Sequence, residues 1–226
     1  MLMLYVIGAV FALIGLLVQS RLKSKFHQYS QMNLMNGMSG REVAEKMLRD
    51  NGVFDVKIIS VNGQLSDHYN PGNKTVNLSH DVYHGRNAAA AAVAAHECGH
   101  AVQHQVAYPF LGFRSSMVPI VNVAGSIMPW ILMAGVMLLN RIPGLLLVAI
   151  IAQAAITLFT LITLPVEFDA SKRALGWLTS SGTVINKEYD AAKDALKWAA
   201  LTYVVTALAA IAQLLYLINR YSSRRN

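Results

Sequence analysis

Cysteine occurs once, at position 98, in a chain of 226 residues. No intrachain disulfide can form, and nothing in the thiol content speaks for an oxidising compartment. Charge is scarce as well: 14% of residues are Asp, Glu, Lys or Arg, against 54% hydrophobic. Four long runs hold no charged residue at all: Met1 to Ser20, Ser115 to Asn140, Ile142 to Val166 and Trp198 to Asn219. Each is long enough to cross a hydrocarbon core of about 30 Å at about 1.5 Å per helical residue. About four transmembrane helices are therefore expected. The same lack of ionisable residues within the spans argues against an ion channel or transporter, whose paths they usually mark.

The first run lacks a basic leading segment and a small-x-small cleavage site, and it runs directly into Arg21, Lys23 and Lys25. It reads as a retained anchor, not a secretory signal. Residues 21–114 carry ten Lys and Arg and residues 167–197 carry five more, together fifteen of the 19. A hairpin of the second and third spans puts both segments on one side, which the positive-inside tendency makes cytoplasmic. Arg220, Arg224 and Arg225 would then emerge on the opposite face, so the last segment need not cross fully. The net charge of +7 reads as orientation and contact with the lipid bilayer. No aromatic–basic interleaving accompanies it, so no nucleic-acid partner is expected.

Between the first two spans lies a polar region with the signals of a small folded domain. Ser39-Gly40-Arg41-Glu42 has the form of a capping box. Val43, Met47 and Leu48 give a helical stripe that Asn51-Gly52 stops. Val53 to Val61 reads as a strand, and Asn70-Pro71-Gly72-Asn73 as a turn between Leu65–Tyr69 and Lys74–Leu78. Such a strand edge could hold an extended peptide or simply pack the domain. Ser79 or Asn87 would open the helical region that follows.

That region, residues 87–106, contains no proline, a dense block of alanines and His96-Glu97-Cys98-Gly99-His100. Side chains four apart share one helix face, so His96 and His100 can offer two imidazole nitrogens to one metal ion. Glu97 lies about 100° round the helix, near enough to reach a water on that ion as a general base. Two nitrogens, a base and an open position form the chemistry of a zinc peptidase. Cys98 falls almost opposite His96 and is expected to pack.

Two histidines leave a third ligand to find. His104 lies about 12 Å along the helix from His96, too far for easy ligation of one ion, and reads as a neighbouring or interfacial histidine. Glu167, in Leu164-Pro165-Val166-Glu167-Phe168-Asp169-Ala170-Ser171, falls on the same membrane side as His96 under the hairpin topology. Pro165 suits the start of a new helical segment, with Glu167 in its first turn, where a carboxylate could also merely offset the helix dipole. Glu167 is the favoured ligand. A further donor for a developing oxyanion would come from among His68, Tyr69, Tyr83, His84 and Arg173.

The anchor, the polar domain, the motif His-Glu-Cys-Gly-His-Ala-Val-Gln-His, the two-span hairpin and the later Glu-Phe-Asp-Ala-Ser together resemble the YugP-like neutral zinc metallopeptidases, bacterial membrane proteins. More distantly the chain is similar to the HtpX and CAAX-prenyl protease type of gluzincin. The resemblance implies His96, His100 and Glu167 as zinc ligands, Glu97 as base, one Zn²⁺ per chain and a place in the bacterial inner membrane. It departs from the wider gluzincin pattern at Ser171, where those enzymes often carry an aspartate that bonds a ligand histidine. Asp169 is two residues on from Glu167 and is expected to point elsewhere.

The expected fold is mainly α, an integral membrane protein with a small α+β zincin-like cytoplasmic domain. Its parts would be an anchor at 1–20, that domain at 21–114, a transmembrane hairpin at 115–166, a cytoplasmic helical segment at 167–197, a last span at 198–219 and a basic tail at 220–226. The expected function is metalloendopeptidase cleavage of membrane or membrane-proximal protein substrates. The alternative is a non-catalytic scaffold with a structural zinc site, although such sites usually fill four positions, often with thiolates. Gly125 and Gly135 could pack helices in the second span.

Overall fold

The structure, a computed structural model, describes residues 2–138 and 144–223. Arg224 and Arg225 of the expected tail, and the expected span ends at Met1, Asn140 and Ile142, lie outside the described residues, as do the surroundings of Gly135. In chain order the elements are α1 (Leu2–Ser30), α2 (Gly40–Asp50), β1 (Lys57–Val61), β2 (His68–Asn70), β3 (Thr75–Ser79), α3 (His80–His84), α4 (Ala88–Gln105), α5 (Pro109–Leu138), α6 (Gly144–Ser180) and α7 (Lys187–Ser222). The chain is mainly helical. Helices α1, α5, α6 and α7 are each long and apolar enough to cross a membrane.

Two compact units can be distinguished. One comprises 1–17, 112–164 and 202–226, the other 18–111 and 165–201. Within the first, Leu4, Leu146, Ala149 and Leu217 form one buried cluster and Ala124, Met128 and Ala152 another. Its buried amide is paired inside the unit: Gln153 Nε2 donates to the Ala210 carbonyl at 3.2 Å. An apolar surround makes an unpaired polar group costly, so such bonds fix which helix faces meet. A methyl group at Gly125 would meet nothing within 4 Å, so that glycine marks no close approach.

The second unit is built around α4. Its alanines at 88–92, 94 and 95 are all buried, so the first half of this helix is apolar and packed on nearly every face. Asn87 starts it, its side chain accepting the Ala90 N–H at 2.9 Å. Helix α2 begins with the capping box read from the sequence: Ser39 accepts the Glu42 N–H, and Glu42 accepts the Ser39 N–H. Val43, Ala44, Met47 and Leu48 bury its inner face. Asn51 and Gly52 stop it, Gly52 with φ +71.

The expected strand and hairpin are present as a three-stranded sheet of order β1-β3-β2. β2 and β3 pair antiparallel across the turn, His68 opposite Asn77 and Asn70 opposite Thr75. β1 pairs parallel to β3, Lys57 opposite Thr75 and Val61 opposite Ser79. All five residues of β3 are buried. Its polar members are satisfied locally: Asn77 Nδ2 donates to the His68 and Thr75 carbonyls, and Ser79 donates to Asp67.

One expectation needs correcting. Pro165 does not open a new helical segment; α6 runs through it unbroken from Gly144 to Ser180. An interior proline forfeits one hydrogen bond and costs about 3 kcal/mol. Ending the helix there would instead strand several carbonyl and amide groups at two new termini. Continuity is the cheaper outcome, and α5 shows it twice more, at Pro119 and Pro129. Glu167 therefore sits inside a long helix, not at the start of a short one.

Candidate metal centre

Helix α4 and the C-terminal half of α6 supply the chemistry. His96 and His100 stand one turn apart on α4, their ring centroids 4.8 Å from each other. Glu167 of α6 projects between them, with Oε2 at 3.3 Å from His96 Nε2 and 3.6 Å from His100 Nε2. Glu167 and His100 are buried and His96 is half-buried. Among the described residues, these three form the one His, Cys, Asp and Glu group whose donor atoms all lie within 4.8 Å of one another.

A glycine makes that approach possible. A methyl group built on Gly99 would stand 2.6 Å from the Ala170 carbonyl oxygen and 3.1 Å from the Ala170 Cα. The fourth residue of the motif and the residue three beyond Glu167 thus meet backbone to backbone. Any other residue at 99 would hold α4 and α6 apart.

The donor set fits a zinc ion. Three atoms each about 2.0–2.2 Å from one tetrahedral centre lie about 3.3 Å apart, close to the two separations seen here. The remaining ring nitrogens are turned away and occupied: His96 Nδ1 lies 3.1 Å from Ser171 Oγ, and His100 Nδ1 lies 3.0 Å from Gln103 Oε1. Such outer partners hold ligand rings in place.

Glu97 lies outside this group. It is 8% exposed, and its Oε2 accepts the main-chain N–H of Tyr69 at 2.9 Å. The outer edge of β2 therefore faces the carboxylate. Nearby, burial holds the Asp67 carboxyl above the usual range; the Glu97 charge adds to this, and two bonds from Ser79 oppose it.

The remaining candidates separate cleanly. His104 is not in the donor group; its Nδ1 meets the Tyr69 hydroxyl at 2.7 Å. Of the five possible oxyanion donors, Tyr69 alone bonds Glu97 among the described residues. His68 Nδ1 meets the Ser66 carbonyl, the rings of Tyr83 and His84 meet edge to face, and Arg173 donates to Asp169. Asp169, as expected, bonds neither His96 nor His100; its Oδ2 accepts from Gln103 and Arg173. Ser171 occupies the place of the gluzincin aspartate and does contact a histidine. The sequence carries no expectation for Gln103, although an amide three residues after His100 shares its helix face.

Cys98 packs, as its helical position implies. It is fully buried, its Sγ donates to the Ala44 carbonyl at 3.7 Å, and burial pushes its thiol well up. Maleimide is therefore expected to leave the native protein unlabelled and to label it fully in denaturant. Rapid labelling of native protein would contradict this placement.

A family described as "Putative neutral zinc metallopeptidase" matches residues 3–222 of the chain. "Putative membrane protease YugP" of Bacillus subtilis (strain 168) is 40% identical over 225 residues, covering 99% of each chain. No solved structure is a significant match.

Proposed function

This chain belongs to the neutral zinc metallopeptidase family, and from that premise we propose that it is a membrane-embedded endopeptidase with one zinc site. His96, His100 and Glu167 would hold the ion. When bound, zinc supplies a Lewis acid for the scissile carbonyl and lowers the pKa of water toward about 7. Glu97 takes the proton of the attacking water on its carboxylate and passes it to the departing amine as the C–N bond breaks. The Tyr69 N–H holds Glu97 in place while leaving its other oxygen free of that bond. An extended peptide laid along β2 would run past this base, since that edge faces it.

The substrate class follows from location. Four helices are suited to crossing a bilayer, and the relative carries membrane protease in its name. We assign membrane proteins or membrane-proximal tails as substrates. The Lys and Arg excess of residues 21–114 and 167–197 supports a cytoplasmic face for the site in a bacterial inner membrane.

The observation that carries the reading is the convergence of His96, His100 and Glu167 from two helices. Metal analysis of detergent-purified protein tests it. Wild type is expected to hold about one zinc per chain, and Glu167→Ala much less. A wild type without zinc would sink the reading. Full zinc in Glu167→Ala would remove Glu167 from the ligand set.

A further inference from the structure

Gln103 is completely buried, and its amide is committed at both ends. Nε2 lies 2.8 Å from the Val166 carbonyl oxygen and 2.9 Å from Asp169 Oδ2. Asp169 is itself in an ion pair with Arg173, whose Nε is 2.6 Å from the same oxygen. A carbonyl and a carboxylate only accept, and an amide donates only through nitrogen. The opposite amide orientation would press oxygen against two oxygens. The orientation is thus dictated by the partners, and Oε1 must face His100 Nδ1 at 3.0 Å.

That oxygen can only accept. His100 Nδ1 must then carry the hydrogen, and a neutral imidazole has one N–H to give. Its Nε2 is left with the lone pair, on the side of Glu167. His96 has no such instruction. Its Nδ1 partner is the Ser171 hydroxyl, which can donate or accept by rotation and so suits either tautomer. The two histidines look equivalent in the motif but are not equivalent in the fold.

We propose that Gln103 is a positioning residue that presets His100 as a metal donor, with Val166, Asp169 and Arg173 locking its amide. This rests on the zinc reading above. In the absence of the amide, His100 would spend part of its time with hydrogen on Nε2, and each such molecule must change tautomer before it can bind.

The test uses full-length protein in detergent, with ¹⁵N-labelled histidine and chelator competition for zinc. At a pH where the ¹⁵N shifts show the His100 ring to be uncharged, zinc-free wild type should have it in the Nδ1–H form. Gln103→Met should lose that preference and bind zinc about 10–100-fold more weakly. Gln103→Met matches the side chain in length, and a melting temperature measured alongside separates loss of the tautomer preference from a general loss of packing. Ser171→Ala should leave the His100 tautomer unchanged. A wild-type His100 in the Nε2–H form, or undiminished zinc affinity in Gln103→Met, would overturn the proposal. A wild type that takes up no zinc would overturn the zinc reading instead, while the tautomer measured without metal still decides the role of Gln103.

Discussion

Replacing Glu97 with glutamine is expected to lower peptide hydrolysis by about 10²–10⁴-fold while zinc content stays at the wild-type level. The substitution keeps shape and keeps an oxygen for the Tyr69 N–H, so the local bond at 2.9 Å survives. What it removes is the capacity to accept a proton from water at neutral pH. Glu97 stands outside the group formed by His96, His100 and Glu167, so the metal should not notice the change. Cleavage of a general protein substrate in detergent, beside atomic-absorption zinc analysis, measures both quantities on one preparation. Undiminished zinc-dependent hydrolysis would dismiss Glu97 as the base. Joint loss of zinc and activity would give it a structural task instead.

Gly99→Ala is expected to do comparable damage without touching any reactive atom. Its new methyl would lie 2.6 Å from a backbone oxygen of α6, a contact that no side-chain rotation relieves. The two helices must part by several tenths of an ångström. Overpacking of this kind costs about 1–3 kcal/mol, a sizeable share of the stability of an ordinary domain. Metal sites tolerate ligand displacements of only about 0.2 Å. Zinc affinity should therefore fall together with the unfolding temperature, even though His96, His100 and Glu167 remain chemically intact. A Gly99→Ala protein with wild-type affinity and wild-type melting would show that the close approach of α4 to Ala170 is dispensable.

Local rules made much of this molecule readable in advance. Runs without charge mark the four long helices, because a bilayer tolerates little else. Ser39 and Glu42 announce α2, since each bonds the other's backbone three residues away. Histidines four apart on a helix must share a face. Counting membrane crossings permits Glu167 to reach them and says no more. The rest depends on which surfaces meet. Nothing near Lys57–Val61 says that it will pair parallel with Thr75–Ser79, since the partner is chosen by the buried face of β3. The bonds from Gln103 to Val166 and Asp169, and that between Ser171 and His96, form only when α4 lies on α6. Pro165 misled because the local rule against prolines in helices was overruled by the larger cost of breaking one.

The alanines ahead of the motif have a consequence for how this chain can vary. From Ala88 to Ala95, with Val93 the single exception, each side chain is one methyl buried in the core. Larger residues would be excluded by volume and glycine by its cost to the helix. A complete substitution map of the protein should therefore show a second intolerant block upstream of His96. Judged by tolerance alone it would pass for an active site, yet it performs no chemistry. Zinc titration separates the two, because a variant in this block that still folds should bind the ion with unaltered strength.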